Sequence, residues 1–354
     1  MTNKKICIVA GARPNFVKVA PLIRAIEKQK DCAYELIYTG KKNDPTLEES
    51  LFDDLQMPRP DVYFGVDSCR LNEITSRVMA EFDTYLDSHP TDVVIVVDDL
   101  ASTMAAAIVT KKRGVKLAHL VAGTRSFDIN MPKEINRLVI DALSDYLFTA
   151  GVKSNSVATR EQGESSLTYM VGNILMDTLR FNRNRLRKPQ IPGIEEDRYM
   201  VLTLNRKALL DDKENLKEML NAIVASAGNI PVIAPLRVQA REVVEELNAN
   251  VRLTEPLSYL EFGWLTAHAC CIITDSGNVA EEATFNMVPC ITLNSYTEHV
   301  ETVSVGSNVL VGGDAEKLRD AVKQAKEGAW KKCTLPERWD GRAAERIVQI
   351  LKGN

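Results

Sequence analysis

The side chains best suited to chemistry in this sequence occur in short polar clusters, each directly after an apolar run. The first cluster, Gly11-Ala12-Arg13-Pro14, leads into a segment of helical spacing that contains Lys18. A guanidinium beside a helix N-terminus favours an anionic ligand, because both are positive. An ordinary strand-to-helix turn with a surface arginine explains the same residues, and the dinucleotide fingerprint GxGxxG is absent.

Two adjacent acids, Asp98 and Asp99, follow another apolar run. Their carboxylates could bind hydroxyl groups, position a proton or hold a metal ion. Asp99 could equally cap the helix that is predicted to begin near Ser102, because aspartate is a favoured helix cap.

The densest cluster runs from His119 to Arg137 and includes Arg125, Asp128, Lys133 and Glu134. So many polar groups after one strand indicate a site at the end of that strand. A histidine that ends an apolar strand is, however, typical of a buried core position. Asn136 and Arg137 fall on a predicted helix, where bracing of the loop is favoured over contact with a substrate.

A fourth cluster, Thr274 to Asn278, follows a buried run and precedes a helix. Ser276, Gly277 and Asn278 at that helix N-terminus predict a diphosphate-binding turn, because free backbone N–H groups, a hydroxyl and the helix dipole all favour an anion. Glu282, one turn later, is placed to accept hydrogen bonds from ribose hydroxyls. A Ser-Gly turn is common in α/β proteins, so this motif is only moderately specific.

The elements that position these clusters alternate between short β-branched runs and longer amphipathic stretches. Strands are predicted at residues 5–10, 34–39, 92–97, 115–119, 146–149, 199–204, 230–234, 251–254, 271–274 and 288–293. Strands that are apolar on both faces and separated by helices indicate parallel sheets covered on each side. The predicted fold class is therefore α/β, with two doubly wound, Rossmann-like domains that face a central cleft.

A polar and basic stretch near residues 173–199, with Pro189, Pro192 and Gly193, predicts the connection between the domains. We expect an N-terminal domain over residues 1–175, a nucleotide-binding domain over 176–340 and a C-terminal helix over 341–354 that crosses back to the first domain. Ligands of open α/β sheets bind at the carboxyl ends of the strands, which is where the four clusters lie.

Composition excludes several classes of protein. The 354 residues carry a net charge of −4 without a basic block, which argues against nucleic acid as a partner. Seven cysteines without C-x-x-C spacing predict free thiols in a reducing cytoplasm, and four histidines without cysteines at ligand spacing predict no metal site. No apolar run is long enough to span a membrane, and the N-terminal run is predicted to be a strand rather than a signal peptide.

The clusters, in their order, resemble the non-hydrolysing UDP-N-acetylglucosamine 2-epimerase family over nearly the whole chain. The segments that carry the resemblance include GARPNFVKVAPLI, DDLASTMAAAI, HLVAGTRSFDINMPKEINR, TDSGNVAEEA and TEHVETVSVGSNVLVG. The resemblance implies a GT-B fold, a homodimer, a UDP-sugar substrate, a role in cell-surface polysaccharide biosynthesis and no cofactor. It also implies inversion at C2 of the sugar by elimination and readdition of UDP.

The resemblance assigns roles position by position. Expected substrate-binding residues are Arg13, Lys18, Arg125, Arg206, Ser276, Gly277, Asn278 and Glu282, with Asn278 in place of a second family glycine. Expected catalytic residues are Asp99, Glu134, Arg13 and His119.

Several positions depart from the family pattern. Val121 and Lys133 replace glutamates, Asn205 replaces the catalytic histidine, Asp98 replaces a glycine and His299 replaces an arginine. Three functions therefore stay open. The first is an epimerase in which Asp99, Glu134, Asp128 or His119 transfers protons. The second is a silent UDP-sugar-binding sensor or partner subunit. The third is a UDP-sugar hydrolase or glycosyltransferase in which Lys133 stabilises the leaving group.

Overall fold

The computed structural model describes residues 3–247 and 249–353. These residues form two compact units. The first runs to Phe181 and takes up the chain again from Glu337, and the second is Asn182–Pro336. Within the described residues, the first unit holds a seven-stranded sheet and the second a six-stranded sheet, and the strand pairs in both are parallel.

The first sheet is built from short β-branched strands covered by helices on both faces. Its strands are β1 (Lys4–Ala10), β2 (Cys32–Tyr38), β3 (Val62–Tyr63), β4 (Val93–Val97), β5 (Lys116–Ala122), β6 (Tyr146–Thr149) and β7 (Leu167–Met170). Every residue of β4, Val-Val-Ile-Val-Val, is buried, as expected for a strand inside a doubly covered parallel sheet.

The helices of the first unit are α1 (Arg13–Glu27), α2 (Glu49–Leu55), α3 (Leu71–Ser88), α4 (Ala101–Lys112), α5 (Pro132–Leu143), α6 (Val152–Glu161) and α7 (Leu175–Asn182). The turn between β1 and α1 packs tightly on the start of α4, because a Cβ atom at Gly11 would lie 2.1 Å from the Ser102 hydroxyl. A larger residue at that turn would have to displace the side chains of Ser102 and Leu100.

The last helix, α15 (Ala343–Gly353), belongs to the first unit and packs against α1. Its N-terminus is held by Asp177, whose carboxylate accepts hydrogen bonds from the backbone N–H groups of Ala343 and Ala344. Burial raises the pKa of Asp177 to about 6, even though these two hydrogen bonds oppose the shift.

The second sheet has the strands β8 (Met200–Thr203), β9 (Val232–Pro235), β10 (Arg252–Thr254), β11 (Cys271–Thr274), β12 (Cys290–Thr292) and β13 (Asn308–Leu310). Its helices are α8 (Lys207–Asp211), α9 (Lys213–Ala227), α10 (Val238–Glu246), α11 (Tyr259–Ala267), α12 (Gly277–Phe285), α13 (Val300–Ser304) and α14 (Ala315–Lys326), and Arg183–Arg185 forms a short 3₁₀ turn. Two apolar clusters form the core of this unit.

Both sheets have the same strand order. The order is β3-β2-β1-β4-β5-β6-β7 in the first and β10-β9-β8-β11-β12-β13 in the second. The strand order therefore reverses once in each sheet, between β1 and β4 in the first and between β8 and β11 in the second. The loops that follow these strands diverge at that point. Such a switch point is where open α/β sheets bind ligands.

The predicted α/β class with two doubly wound sheets is confirmed, and every predicted strand is present. Three strands were not predicted: β3, β7 and β13. All three are edge strands, and most of their side chains are only partly buried, so they lack the continuous apolar run of a central strand. In the described part of the chain, no helix is both long and apolar enough to cross a membrane.

Candidate functional site

The switch point of the first unit joins the start of α1 to the end of β4 through Asp98. The carboxylate of Asp98 accepts hydrogen bonds from Asn15 Nδ2 at 2.8 Å and from Lys18 Nζ at 2.6 Å. Lys18 is only 5% exposed. Asp98 itself has φ = +60°, in the left-handed region that favours glycine, the residue that the resemblance expects there. Aspartate is among the better tolerated residues in that region. Lys18 therefore neutralises Asp98 inside the unit.

Asp99 is held by two cations from α5. Its Oδ2 atom accepts hydrogen bonds from Arg137 Nη2 at 2.6 Å and from Arg137 Nε at 2.9 Å, and Lys133 Nζ lies 3.5 Å from Oδ1. Burial raises the pKa of Asp99, but Lys133 and Arg137 together outweigh it and leave the pKa below its ordinary value. Asp99 does not cap α4, because Leu100 is the cap residue and its backbone N–H donates a hydrogen bond to Thr103 Oγ1. The alternative of a helix cap is wrong.

Glu134 ties the loop that precedes α5 to the same arginine. Its carboxylate accepts hydrogen bonds from the backbone N–H groups of Ser126 and Phe127, from the Ser126 hydroxyl and from Arg137 Nη1. Burial raises the pKa of Glu134, but these hydrogen bonds more than compensate and lower it. Asn136 also donates a hydrogen bond to the Asp99 carbonyl oxygen. Arg137 and Asn136 thus brace the loops, as their places on a helix suggested.

A buried network centred on Asp141 packs beneath the Asp98–Asp99 turn and connects to it through His119. Its carboxylate lies 2.5 Å from His119 Nδ1 and 2.7 Å from Arg125 Nη1, and it accepts a hydrogen bond from Gly123 N. His119 Nε2 lies 2.9 Å from the Asp98 carbonyl oxygen. Both ring nitrogens of His119 therefore face atoms of the protein, and the residue is 1% exposed. Arg125 is 7% exposed and pairs with Glu161 as well.

One feature near the end of β5 gave no signal in the sequence. The pairing of β5 with β6 shifts register between Leu120 and Ala122, and Val121 at this bulge has φ = +76°. A β-branched residue rarely adopts this conformation, and such strain is typical of functional loops. By the resemblance described above, Val121 also takes the place of a glutamate, at a bulge whose backbone is unusual.

The switch point of the second unit is closed by Asp275, which follows β11. Its Oδ2 atom accepts hydrogen bonds from the backbone N–H groups of Asn205 and Arg206, both at 2.7 Å, which ties the ends of β8 and β11 together. Ser276 is the N-terminal cap residue of α12, yet its side chain makes no capping hydrogen bond. The Ser276 hydroxyl therefore makes no hydrogen bond to the N–H groups of the helix.

Two adjacent glutamates on α12 have different environments. Glu281 Oε1 lies 2.7 Å from His299 Nδ1. Burial raises the pKa of Glu282 to about 8, and the neighbouring charge of Glu281 adds to the increase. Glu282 is thus protonated at neutral pH and can donate a hydrogen bond as well as accept one.

The raised pKa of Glu282 predicts a pH-dependent stability. An acid whose pKa is higher in the folded state stabilises the fold below its unfolded pKa, and this contribution is lost as the pH rises through the folded pKa. We expect the free energy of unfolding to fall by a few kcal/mol between about pH 5 and pH 9, since one pKa unit corresponds to about 1.4 kcal/mol. Glu282→Gln should remove most of this decrease. Urea unfolding at several pH values measures it, and identical pH profiles for parent and variant would contradict the assignment.

The structure groups the predicted site residues by unit. In the first unit, Asp99 and Glu134 lie together on Arg137, whereas Lys18, Arg125 and His119 are enclosed in buried networks. Arg13 is the first residue of α1, with its Nη2 atom 3.8 Å from Glu48 Oε2. The residues from the second unit follow β8 and β11: Arg206, Ser276, Gly277, Asn278 and Glu282. In the described part of the chain, no three His, Cys, Asp or Glu side chains are grouped as a metal site.

Two Rossmann-like units with glycine-containing turns at their switch points define the class as a two-domain α/β protein of the GT-B fold. A family model described as UDP-N-acetylglucosamine 2-epimerase matches residues 24–352. The UDP-N-acetylglucosamine 2-epimerase of Methanocaldococcus jannaschii is 34% identical over 98% of both chains. This chain belongs to the UDP-N-acetylglucosamine 2-epimerase family.

Two further similarities agree with this assignment. The UDP-2,3-diacetamido-2,3-dideoxy-D-glucuronate 2-epimerase of Pseudomonas aeruginosa is 32% identical over 90% of this chain and 91% of the relative. The crystal structure of the M. jannaschii enzyme in complex with UDP-GlcNAc and UDP has a TM-score of 0.86, and the match covers 99% of this chain and 100% of that one. The fold predicted from the resemblance is thereby confirmed.

Proposed function

We propose that this protein interconverts UDP-N-acetylglucosamine and UDP-N-acetylmannosamine by elimination and readdition of UDP, with an altered set of acid and base groups. The observation that carries the proposal is the environment of Asp99. Arg137 and Lys133 keep this carboxylate ionised although it is largely buried. An ionised, positioned carboxylate is what removal of the C2 proton requires.

In this proposal the second unit binds the nucleotide. Ser276, Gly277 and Asn278 bind the diphosphate at the N-terminus of α12, where first-turn N–H groups have no partner within the helix and the helix dipole favours an anion. Glu282 hydrogen-bonds to the ribose hydroxyls. Arg206, whose guanidinium lies 5.8 Å from the centre of the Tyr296 ring, adds positive charge for the substrate.

In the first unit, Asp99 is the proposed base and Arg13 stabilises the departing diphosphate. The enclosed residues have positioning roles instead of direct contacts. Lys18 holds Asp98, Glu134 holds the Ser126–Phe127 loop, and His119 and Arg125 hold the backbone through Asp141. For Lys18, Arg125, Glu134 and His119 this revises the roles expected from the sequence, because these residues are only 1–7% exposed, whereas 14% of the Asp99 side chain is exposed.

A second candidate, a catalytically silent UDP-sugar-binding relative, is favoured by one specific observation. Lys133 stands where the family has a glutamate and lies 3.5 Å from Asp99, so a cation replaces an acid beside the proposed base. Val121 and Asn205 remove two more proton-transfer groups. Loss of a positioned acid or base typically costs about 10²- to 10⁴-fold in rate.

NMR in D₂O distinguishes these functions. We expect the protein to bring deuterium to C2 of UDP-N-acetylglucosamine and to produce the manno epimer, because elimination exposes C2 to exchange through the base. The same assay with UDP-2,3-diacetamido-2,3-dideoxy-D-glucuronate tests the substrate named for the Pseudomonas relative. Binding without exchange would support the silent relative, and free UDP without epimer would support hydrolysis or transfer. Either result would overturn the epimerase proposal.

We further propose that the protein is a homodimer in the cytoplasm that serves cell-surface polysaccharide biosynthesis. The support for this is the family relationship.

A further inference from the structure

A groove of about 810 Å³ lies in the first unit, beside the outermost strand of its sheet. It is lined by the end of α1, by α6, by β7, by the segment before α15 and by one side of α15, and every lining residue belongs to the first unit. The function proposed above uses none of these residues. The volume is within the usual range of small-molecule sites, about 300–1,000 Å³.

The floor of the groove is apolar. Ala25 of α1, Val171 after β7 and Val348 of α15 line it, and all three are buried. Met170 and Ile350 also line the groove and are partly buried. An alkyl or aryl group bound on this floor would leave water and gain close contacts with these side chains.

The wall formed by β7 presents backbone donors. This strand is the last in the sheet and pairs with β6. The N–H groups of Leu167 and Val171 donate hydrogen bonds to carbonyl oxygens on the β6 side. Because successive residues of a parallel strand face opposite neighbours, the N–H groups of Thr168 and Met170 point away from β6, where the described sheet has no further strand. Both residues line the groove.

Arg338 blocks part of the same strand edge. Its Nη1 atom donates a hydrogen bond to the Met170 carbonyl oxygen. A peptide that added a strand to β7 would need this carbonyl oxygen as an acceptor for its own backbone N–H groups. The edge therefore lacks an acceptor that an added strand requires, and the groove fits a small molecule better than a peptide.

The charges around the groove are mostly positive. Lys28, directly after α1, and Arg338 line the groove, and neither forms an ion pair within the described residues. Arg346 also lines it, but Asp340 balances its charge. Glu345 is an exposed acid among the lining residues. Two unbalanced cations against one acid give the groove a net positive charge.

We propose that this groove binds a small amphipathic carboxylate. The apolar part of the ligand lies on Val171 and Val348, and its carboxylate faces the two unbalanced cations and the N–H groups at the edge of β7. Apolar contacts hold the ligand in the groove, and the surplus of positive charge and of N–H donors selects an anion. This proposal does not depend on the UDP-sugar function, because it uses different residues.

Titration of the ¹⁵N-labelled protein with octanoate tests the proposal. We expect the amide resonances of Thr168 and Met170 to shift in a saturable manner at millimolar octanoate. Octan-1-ol and octylammonium have the same chain length without the negative charge, and we expect both to bind about tenfold more weakly, the effect of losing a hydrogen bond to a charged group. No shift of these two resonances, or equal binding of octylammonium and octanoate, would overturn the inference.

Two variants locate the site. Lys28→Glu should weaken octanoate binding by about 5- to 30-fold, because a repulsion replaces an attraction at the rim of the groove. The matched control is Lys30→Glu, which makes the same charge change at an exposed residue outside the groove and should bind octanoate like the parent. Gln349→Trp, at an exposed position of α15, places a large ring in the groove and should abolish binding. Equal octanoate affinity of Lys28→Glu and Lys30→Glu, or unchanged binding by Gln349→Trp, would contradict the proposed site.

Discussion

Replacing Asp99 with asparagine should lower the rate of deuterium exchange at C2 by about 10²- to 10⁴-fold, the usual effect of removing a positioned base. Asparagine has nearly the same shape, and its carbonyl oxygen can still accept hydrogen bonds from Arg137, so the loop should stay in place. What it lacks is a lone pair basic enough to take the C2 proton. Exchange measured by NMR in D₂O under single-turnover conditions isolates this step.

The control for this substitution is Asp87→Asn, which removes an exposed carboxylate that pairs with Arg113 on the surface. It should exchange at the parent rate. Because the pKa of Asp99 is lowered, protonation of this group should not reduce exchange at mildly acidic pH. An Asp99→Asn rate within tenfold of the parent would exclude Asp99 as the base.

Replacing Asp141 with alanine should lower the free energy of unfolding by about 3–5 kcal/mol, the typical cost of removing one partner of a buried ion pair. The substitution leaves Arg125 without one of its two carboxylate partners and His119 without its contact at Nδ1, inside a region that water does not reach. Gly123 N also loses its acceptor. Urea unfolding should show a lower midpoint with an unchanged slope.

The comparison variant is Asp83→Ala, which removes an exposed partner of Arg113. Solvent screens such pairs, so the unfolding midpoint should stay close to that of the parent. A midpoint for Asp141→Ala equal to that of Asp83→Ala would show that the buried network does not stabilise the first unit.

The central strands and the positions of the polar clusters were predictable, because local sequence specifies them. A run such as Val-Val-Ile-Val-Val is suited only to a strand buried on both faces, and a polar cluster directly after it must lie at the carboxyl end of the sheet. The edge strands β3 and β7 were not predicted, because they have no continuous apolar run. Their side chains are partly exposed, so pairing with a neighbour rather than hydrophobicity defines them.

The roles of individual cations were less predictable. Lys18 and Arg125 belong to the polar clusters, and Arg206 was expected from the resemblance. From their residue types alone, all three are suited to an anionic substrate. The structure pairs Lys18 with Asp98 and Arg125 with Asp141 and Glu161, and Arg206 is exposed. The partners are 16 to 80 residues away along the chain. These long-range contacts decide whether a charged side chain is neutralised by an ion pair inside the protein or stays available to a ligand.

The sequence by itself determined the α/β class, the parallel sheets, the position of the polar clusters next to strand ends and the family resemblance, because each of these follows from residue types at short spacing. The tertiary structure alone decided which charges neutralise one another, that Val121 lies in a left-handed bulge, and that His299 packs on Gly277. Residues 277 and 299 are brought together by the packing of α12 against the segment before α13. Hydrophobic patterning predicts that elements pack, but the contacts between particular side chains are set only when the chain is folded.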